Sequence, residues 1–184
     1  MPGSKTKITY LFFFILFLFF TSCTWLKEFI LPIGVNDIDS TRVLIAELPA
    51  GAEGLASVEL PACVLNEYSP QVAYVERVID GDSIEVLING QLEEVRYIGV
   101  NTPEYYSAER DAAVAATQLN RTYVEGRYVL LFRDISDRDQ YERLLRYVFT
   151  EEGFINAMLV EAGAAEARSY APDIACQLLI NGLE

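Results

Sequence analysis

Between Val72 and Ile98 apolar and polar positions fall into three short β-rich runs, Val72 to Ile79, Ser83 to Ile88 and Glu94 to Ile98. Such runs, bounded by turn residues, mark strands. The second and third runs are joined across Asn89 and Gly90, residue types suited to a type I′ hairpin, so three strands are expected to meander together. From Ala108 to Val124 the period lengthens. Ala112, Ala115, Ala116, Leu119 and Tyr123 recur at helical spacing, with Ser107 as N-cap and Gly126 as terminator. Tyr128 to Phe132 and Leu144 to Thr150 read as two further strands, and Asn156 to Ala162 as a second, short helix after the turn at Glu151, Glu152 and Gly153.

Five strands with a helix between the third and fourth, and a short helix near the C-terminus, fit the order of an OB barrel, a mainly β fold with helices (α+β). The expected organisation is a leader over residues 1–22, a tether over 23–71 and one domain over 72–184. Residues 24 to about 70 have no sustained periodicity and carry Pro32, Pro49, Gly51, Gly54, Pro61 and Pro70, so at most one short strand is expected there, around Arg42 to Leu48.

The N-terminus has a different pattern. Lys5 and Lys7 precede an unbroken apolar run from Tyr10 to Phe20, too short for the roughly 20 residues of a spanning helix. It reads as an export signal. Thr21, Ser22 and Cys23 follow, and small residues before a cysteine resemble a bacterial lipoprotein cleavage site, at which Cys23 would be acylated. The resemblance implies an extracytoplasmic, membrane-anchored lipoprotein. The alternatives are a secreted form, or an uncleaved anchor in which Phe29 to Ile33 prolong the apolar stretch across Lys27 and Glu28.

Composition narrows the chemistry. A chain of 184 residues, 52% hydrophobic and 22% charged, supports one sizeable core. There is no histidine, which excludes Ser-His-Asp and Cys-His nucleophiles and the common zinc sites. Catalysis would rest on carboxylates and arginines. The net charge is −13, and loss of Lys5 and Lys7 leaves 12 basic against 27 acidic residues, a charge of −15. That argues against tight nonspecific binding to nucleic acid, so phosphate would have to be recognised where arginines converge. Of three cysteines, Cys23 is assigned to the lipid; Cys63 and Cys176 remain as a pair for an oxidising compartment, expected to be bridged, the alternative being two separate buried thiols.

Three segments could carry chemistry, each with a plainer reading. Asp80-Gly81-Asp82 is a tight turn that could aim two hard oxygen ligands at calcium, or merely a turn. Arg96 to Glu104 is a strand running into a proline-limited loop with Asn101, Thr102 and Glu104 at its exit. Together these suit phosphate binding, metal binding and water activation, or else a salt-bridged strand end. Asp139 to Arg143 places a second arginine at a strand mouth, or a surface ion pair.

Taken in order, Asp-Gly-Asp after a first strand, Arg96 on a third strand that ends in Thr102-Pro103-Glu104, and Tyr141-x-Arg143 before a Leu-Leu-x-Tyr-Val strand resemble the staphylococcal nuclease-like (thermonuclease) family, from about Val72 to Pro172. The resemblance implies calcium held by Asp82, Asn101 and the Thr102 carbonyl, with catalysis by Arg96, Glu104 and Arg143. It also implies a nucleotide pocket lined by Tyr141 and Tyr170, whose faces would stack a base; the plainer reading of both is rim aromatics. The implied activity is calcium-dependent hydrolysis of DNA and RNA, leaving 3′-phosphates. Two departures bear on it. Asn101 stands where the family has aspartate, and after Pro172 twelve residues remain where the family carries a longer helix, so that flank of the barrel is expected to be thinly covered. The alternative is a membrane-tethered OB barrel that binds nucleotide or nucleic acid without cutting it. A purely structural envelope lipoprotein would leave the charged set unexplained. No protein partner is inferred.

Overall fold

The computed structural model describes residues 48–65, 68–106 and 108–183. Five strands, β1 (Gln71–Asp80), β2 (Ser83–Ile88), β3 (Gln91–Tyr97), β5 (Tyr128–Phe132) and β6 (Leu144–Thr150), form one sheet in the order β3-β2-β1-β5-β6. A parallel pairing of β3 with β6 closes it into a barrel. The remaining elements are short strands β4 (Val100–Asn101), β7 (Gly153–Phe154) and β8 (Glu166–Ala167), and helices α1 (Arg110–Val124), α2 (Ile155–Glu161) and α3 (Gln177–Asn181). This is the expected OB barrel with its helix between the main strands.

The hairpin at Asn89-Gly90 forms as read. Both residues have positive φ, 50° and 82°, and pairing resumes at once with Ile88 opposite Gln91, so β3 begins three residues earlier than alternation suggests. By register Val75, Ile84, Val86, Val95, Val129, Leu131 and Val148 share one face of the sheet, and all are fully buried and fill the barrel. In β5 and β6 the alternate residues are buried as well, so both faces of those strands are covered.

The face of α1 differs from the expected one. Ala113, Ala116, Asn120 and Val124 are buried, whereas Ala112 and Ala115 are exposed and Leu119 and Tyr123 only flank the core. The cause is Asn120, a fully buried polar residue in the middle of the inward stripe, which hydrophobic spacing cannot register. Its amide donates to the Asp80 carbonyl at 3.1 Å and its oxygen accepts from the Tyr97 hydroxyl at 2.9 Å, so the helix ties the end of β1 to β3. The helix starts at Arg110 with Glu109 in the cap position and no side-chain cap bond, and Ser107 lies outside the described residues.

Part of the expected tether belongs to the core. Residues Glu53–Ser57 and Ala62–Val64 form single 3₁₀ turns, and Ala52, Leu55, Val58, Leu60 and Val64 are buried against the barrel. Spacing of three, as in Ala52, Leu55 and Val58, matches a 3₁₀ turn and neither of the two longer periods. The segment expected to be thinly covered is also occupied: α3 buries Ile180 completely, and Cys176 beside it is bonded to Cys63, with Cα atoms 5.1 Å apart. The disulfide therefore joins the segment before the barrel to the one after it, as expected. Cys23 and the possible strand at Arg42 to Leu48 fall outside the described residues, except Leu48 itself, which is in no strand. Among the described residues, no helix is long and apolar enough to cross a membrane.

Candidate active site

The turn between β1 and β2 presents Asp82. Gly81 is required there because a Cβ would lie 2.7 Å from the Thr102 side chain, so the turn presses directly on the β4 exit loop. Asp82 is nearly buried, with its Oδ2 accepting from the Thr102 amide at 2.7 Å and from the Thr102 hydroxyl at 3.1 Å. The same oxygen lies 3.3 Å from Nη2 of Arg96. Burial pushes this carboxyl up to about 6; the Arg96 charge works against the rise, and neighbouring Asp80 adds to it.

Arg96 itself is held rather than mobile. Its guanidinium donates to the carbonyls of Tyr97 at 2.6 Å and Val100 at 2.9 Å, and to Oδ1 of Asn101 at 3.3 Å. Asn101 uses its other end on Thr102, donating from Nδ2 to the Thr102 carbonyl at 3.3 Å.

Closure of the barrel brings in the second arginine. Arg96 pairs with Leu145 across the β3–β6 seam. Arg143 directly precedes β6, at the mouth of the same seam. Both arginines line a cleft of about 510 Å³ together with Arg138, Tyr141 and Tyr170. Tyr141 and Tyr170 are well exposed, and the Arg143 guanidinium carbon lies 5.5 Å from the Tyr141 ring centre. Asp139 organises the turn. Its carboxylate accepts from the Arg143 side chain at 2.8 Å and from the backbone amides of Tyr141 and Arg143 at 2.9 and 3.0 Å. Burial alone would raise the Asp139 carboxyl, but these bonds and the Arg143 charge outweigh it and hold it below the ordinary aspartate value.

Glu104 lines a second cleft, of about 590 Å³, with Asp80, Asp82, Thr102, Tyr105, Tyr106 and Arg121. The residues singled out in the sequence thus divide into two groups: Arg96, Arg143, Tyr141 and Tyr170 on one side, and Asp82, Thr102 and Glu104 on the other. The Arg96–Asp82 pair joins them. Asn101 lies between, bonded to Arg96 and Thr102. Sequence reading passed over Tyr105, Tyr106 and Arg138; two adjacent tyrosines directly after Glu104 were the available signal.

The donors fit calcium in type. Asp82 and the Thr102 carbonyl are hard oxygens on rigid backbone, and Asp80 adds a second carboxylate to the same cleft. Asn101 fits less well, because its oxygen serves Arg96 and its nitrogen donates to the carbonyl a cation would use. Among the described residues, no cluster of three or more histidine, cysteine or acidic side chains could hold a metal. A site built here has few charged ligands.

Comparison with known proteins agrees with the fold. The family described as "Staphylococcal nuclease homologue" matches residues 94–178. The thermonuclease of Staphylococcus intermedius is 36% identical over 109 residues, covering 58% of this chain and 65% of that protein. The thermonuclease of Staphylococcus hyicus is 32% identical over 112 residues, covering 59% and 66%. Endonuclease YncB of Bacillus subtilis (strain 168) is 36% identical over 104 residues, covering 54% and 49%. The chain thus spans just under two thirds of the two thermonucleases and about half of the endonuclease.

Proposed function

We propose that this chain, which belongs to the staphylococcal nuclease-like family, is a metal-dependent nuclease that hydrolyses phosphodiester bonds of DNA and RNA, with calcium as its ion and 3′-phosphates as products. One observation carries the reading: Arg96 and Arg143 share a cleft with two exposed tyrosines, and that cleft meets the Glu104 cleft at the Arg96–Asp82 pair.

The residues divide the work. The two arginines hold the phosphate and stabilise negative charge as it grows on the phosphoryl oxygens, the largest contribution expected in such chemistry. Their rigid support matters here, since Arg96 is fixed by backbone carbonyls and Arg143 by Asp139, and neither has to reorganise during the reaction. Glu104 orients the attacking water and takes its proton. Asp82, the Thr102 carbonyl and Asn101 are the residues that would hold calcium. When bound, the ion adds positive charge against the phosphate. Tyr141 and Tyr170 take the base by stacking.

The extracytoplasmic, lipid-anchored location is part of the proposal, with Cys23 as the lipidation site; the Cys63–Cys176 bridge suits an oxidising compartment. A second reading, a tethered barrel that binds nucleotides without cutting, is favoured by Asn101, whose amide is spent on protein partners. A cleavage assay on single-stranded DNA and RNA, with calcium and then with chelator, separates the two. Calcium-dependent cleavage establishes the nuclease. Saturable binding with no cleavage establishes the alternative.

A further inference from the structure

Tyr105 and Tyr106 follow Glu104 directly, and nothing in the hydrolytic reading uses them. Tyr106 is 98% exposed and Tyr105 45% exposed, with ring centres 5.2 Å apart in an edge-to-face pair. Arg110, at the start of α1, lies over the other ring, its guanidinium carbon 4.6 Å from the Tyr105 centre, and it also donates to the Tyr105 hydroxyl. Tyr105 is thus pinned by its neighbours, and Tyr106 presents an open aromatic face. An aromatic that large and that exposed is informative where it adjoins a functional cleft.

Its position decides what it faces. Tyr105, Tyr106 and Glu104 line one cleft with Asp82, whereas Tyr141, Tyr170 and Arg143 line the other with Arg96, and the two meet at the Arg96–Asp82 contact of 3.3 Å. Each cleft, at about 590 and 510 Å³, has the volume of a small-molecule site. We propose that Tyr105 and Tyr106 form a second base-stacking subsite, which takes the nucleotide across the scissile phosphate from the one held beside the arginines. The proposal rests on the nuclease reading and extends it to a substrate bound on both sides of the cut, a single strand of several nucleotides. Charge points the same way. A chain of net charge −13 gains little from counterion release, so stacking, which is sequence-tolerant, has to supply much of the affinity. Arg121 lines that cleft and Arg110 sits over the Tyr105 ring, so both supply positive charge beside it.

The test is binding of a fluorescein-labelled ten-nucleotide oligothymidylate by the purified full chain, followed by anisotropy in excess chelator so that nothing is cut. Y105A/Y106A should weaken the dissociation constant about tenfold or more, the loss expected when a stacked base loses its platform. Y105F/Y106F keeps both rings and should stay within about twofold of the parent. Because the rings are exposed, circular dichroism should show the fold intact in both variants. An alanine variant that binds like the parent overturns the subsite, as does a phenylalanine variant that loses as much as the alanine one, or a parent that does not bind at all. A parallel calcium assay separates the two claims. Cleavage by the parent with tyrosine-independent binding removes the subsite and leaves the nuclease, whereas tyrosine-dependent binding with no cleavage does the reverse.

Discussion

Glu104 sits two residues beyond Thr102, whose amide and hydroxyl are fixed on Asp82, so its carboxylate is carried by a loop anchored at one end. If it serves the water, Glu104→Gln should lower kcat by about a hundredfold or more while oligonucleotide affinity holds or improves, since a negative charge near phosphate is removed. Arg143→Ala should cost turnover similarly by removing charge from the transition state. Steady-state kinetics beside anisotropy would read both; equal losses in binding and turnover would argue for a ground-state role instead. Asn101 gives a second prediction at this scale. Its Nδ2 donates to the Thr102 carbonyl, and an aspartate cannot donate there. Asn101→Asp should open that carbonyl and add an anionic ligand, lowering the calcium concentration for half-maximal activity by about tenfold. No change in a calcium titration would place Asn101 outside the metal site. The candidate residues stood out in the sequence as an ordered set of charged and oxygen-bearing side chains beside strand ends, not one by one. What was not readable is how each is held: Asn101 divides its amide between Arg96, 5 positions away, and the adjacent Thr102, while the Asn120 brace reaches 23 and 40 positions along the chain.

The turn from Asp139 to Arg143 shows how an element positions a side chain. Glu142 has φ +66°, a left-handed conformation that costs a non-glycine residue about 1 kcal/mol. It persists because Asp139 is bonded to both ends of the turn, and because the Glu142 amide donates to the Asp139 carbonyl at 3.1 Å. Glu142→Gly should therefore raise stability by up to about 1 kcal/mol, net of glycine's greater freedom when unfolded, with little change in turnover. A lower urea midpoint would contradict this. Asp139 also sets a pH dependence. Its pKa is depressed in the fold, so its contribution is complete above the unfolded value of about 3.9 and is lost as pH falls through the folded value. A carboxyl titration by NMR should place the Asp139 midpoint below that of an unstructured aspartate, and a midpoint at or above it would remove the brace. Strands and helices were legible where a run rich in β-formers or at helical spacing was bounded by turn residues. The 3₁₀ turns at Glu53–Ser57 and Ala62–Val64 were not, being single turns with one buried residue each.

At the scale of the molecule the chain is closed twice, once by the β3–β6 seam and once by Cys63–Cys176. The second closure was predictable from the cysteine count, but its packing was not. Cys176 is fully buried between the barrel and α3, its amide donating to the Tyr147 hydroxyl at 3.2 Å, and Tyr147 in turn donates to Asp134 at 2.9 Å. Asp134 also accepts from the Ala175 amide at 2.9 Å, and Asp173 accepts from the amides of Ile135 and Ser136, so the loop after β5 and the segment before α3 are bonded at several points. That segment contains Tyr170 and reaches the arginine cleft. With the partners 113 residues apart, the chain-entropy account gives the bridge about 4 to 5 kcal/mol, comparable to the whole stability of a marginal domain. A Cys63→Ser and Cys176→Ser double variant should therefore unfold at a much lower urea concentration. Local bonding predicts a second effect. Because the segment carrying Tyr170 keeps its hydrogen bonds to Asp134, to Tyr147 and to the amides of Ile135 and Ser136, the variant should retain its cleft when folded, with KM raised no more than a few-fold at low temperature. Chemical denaturation and kinetics on the same preparation would measure the two together. A variant as stable as the parent would show that the hydrogen bonds alone hold the C-terminal segment; one that stays folded but loses oligonucleotide binding would show that the bridge shapes the cleft directly.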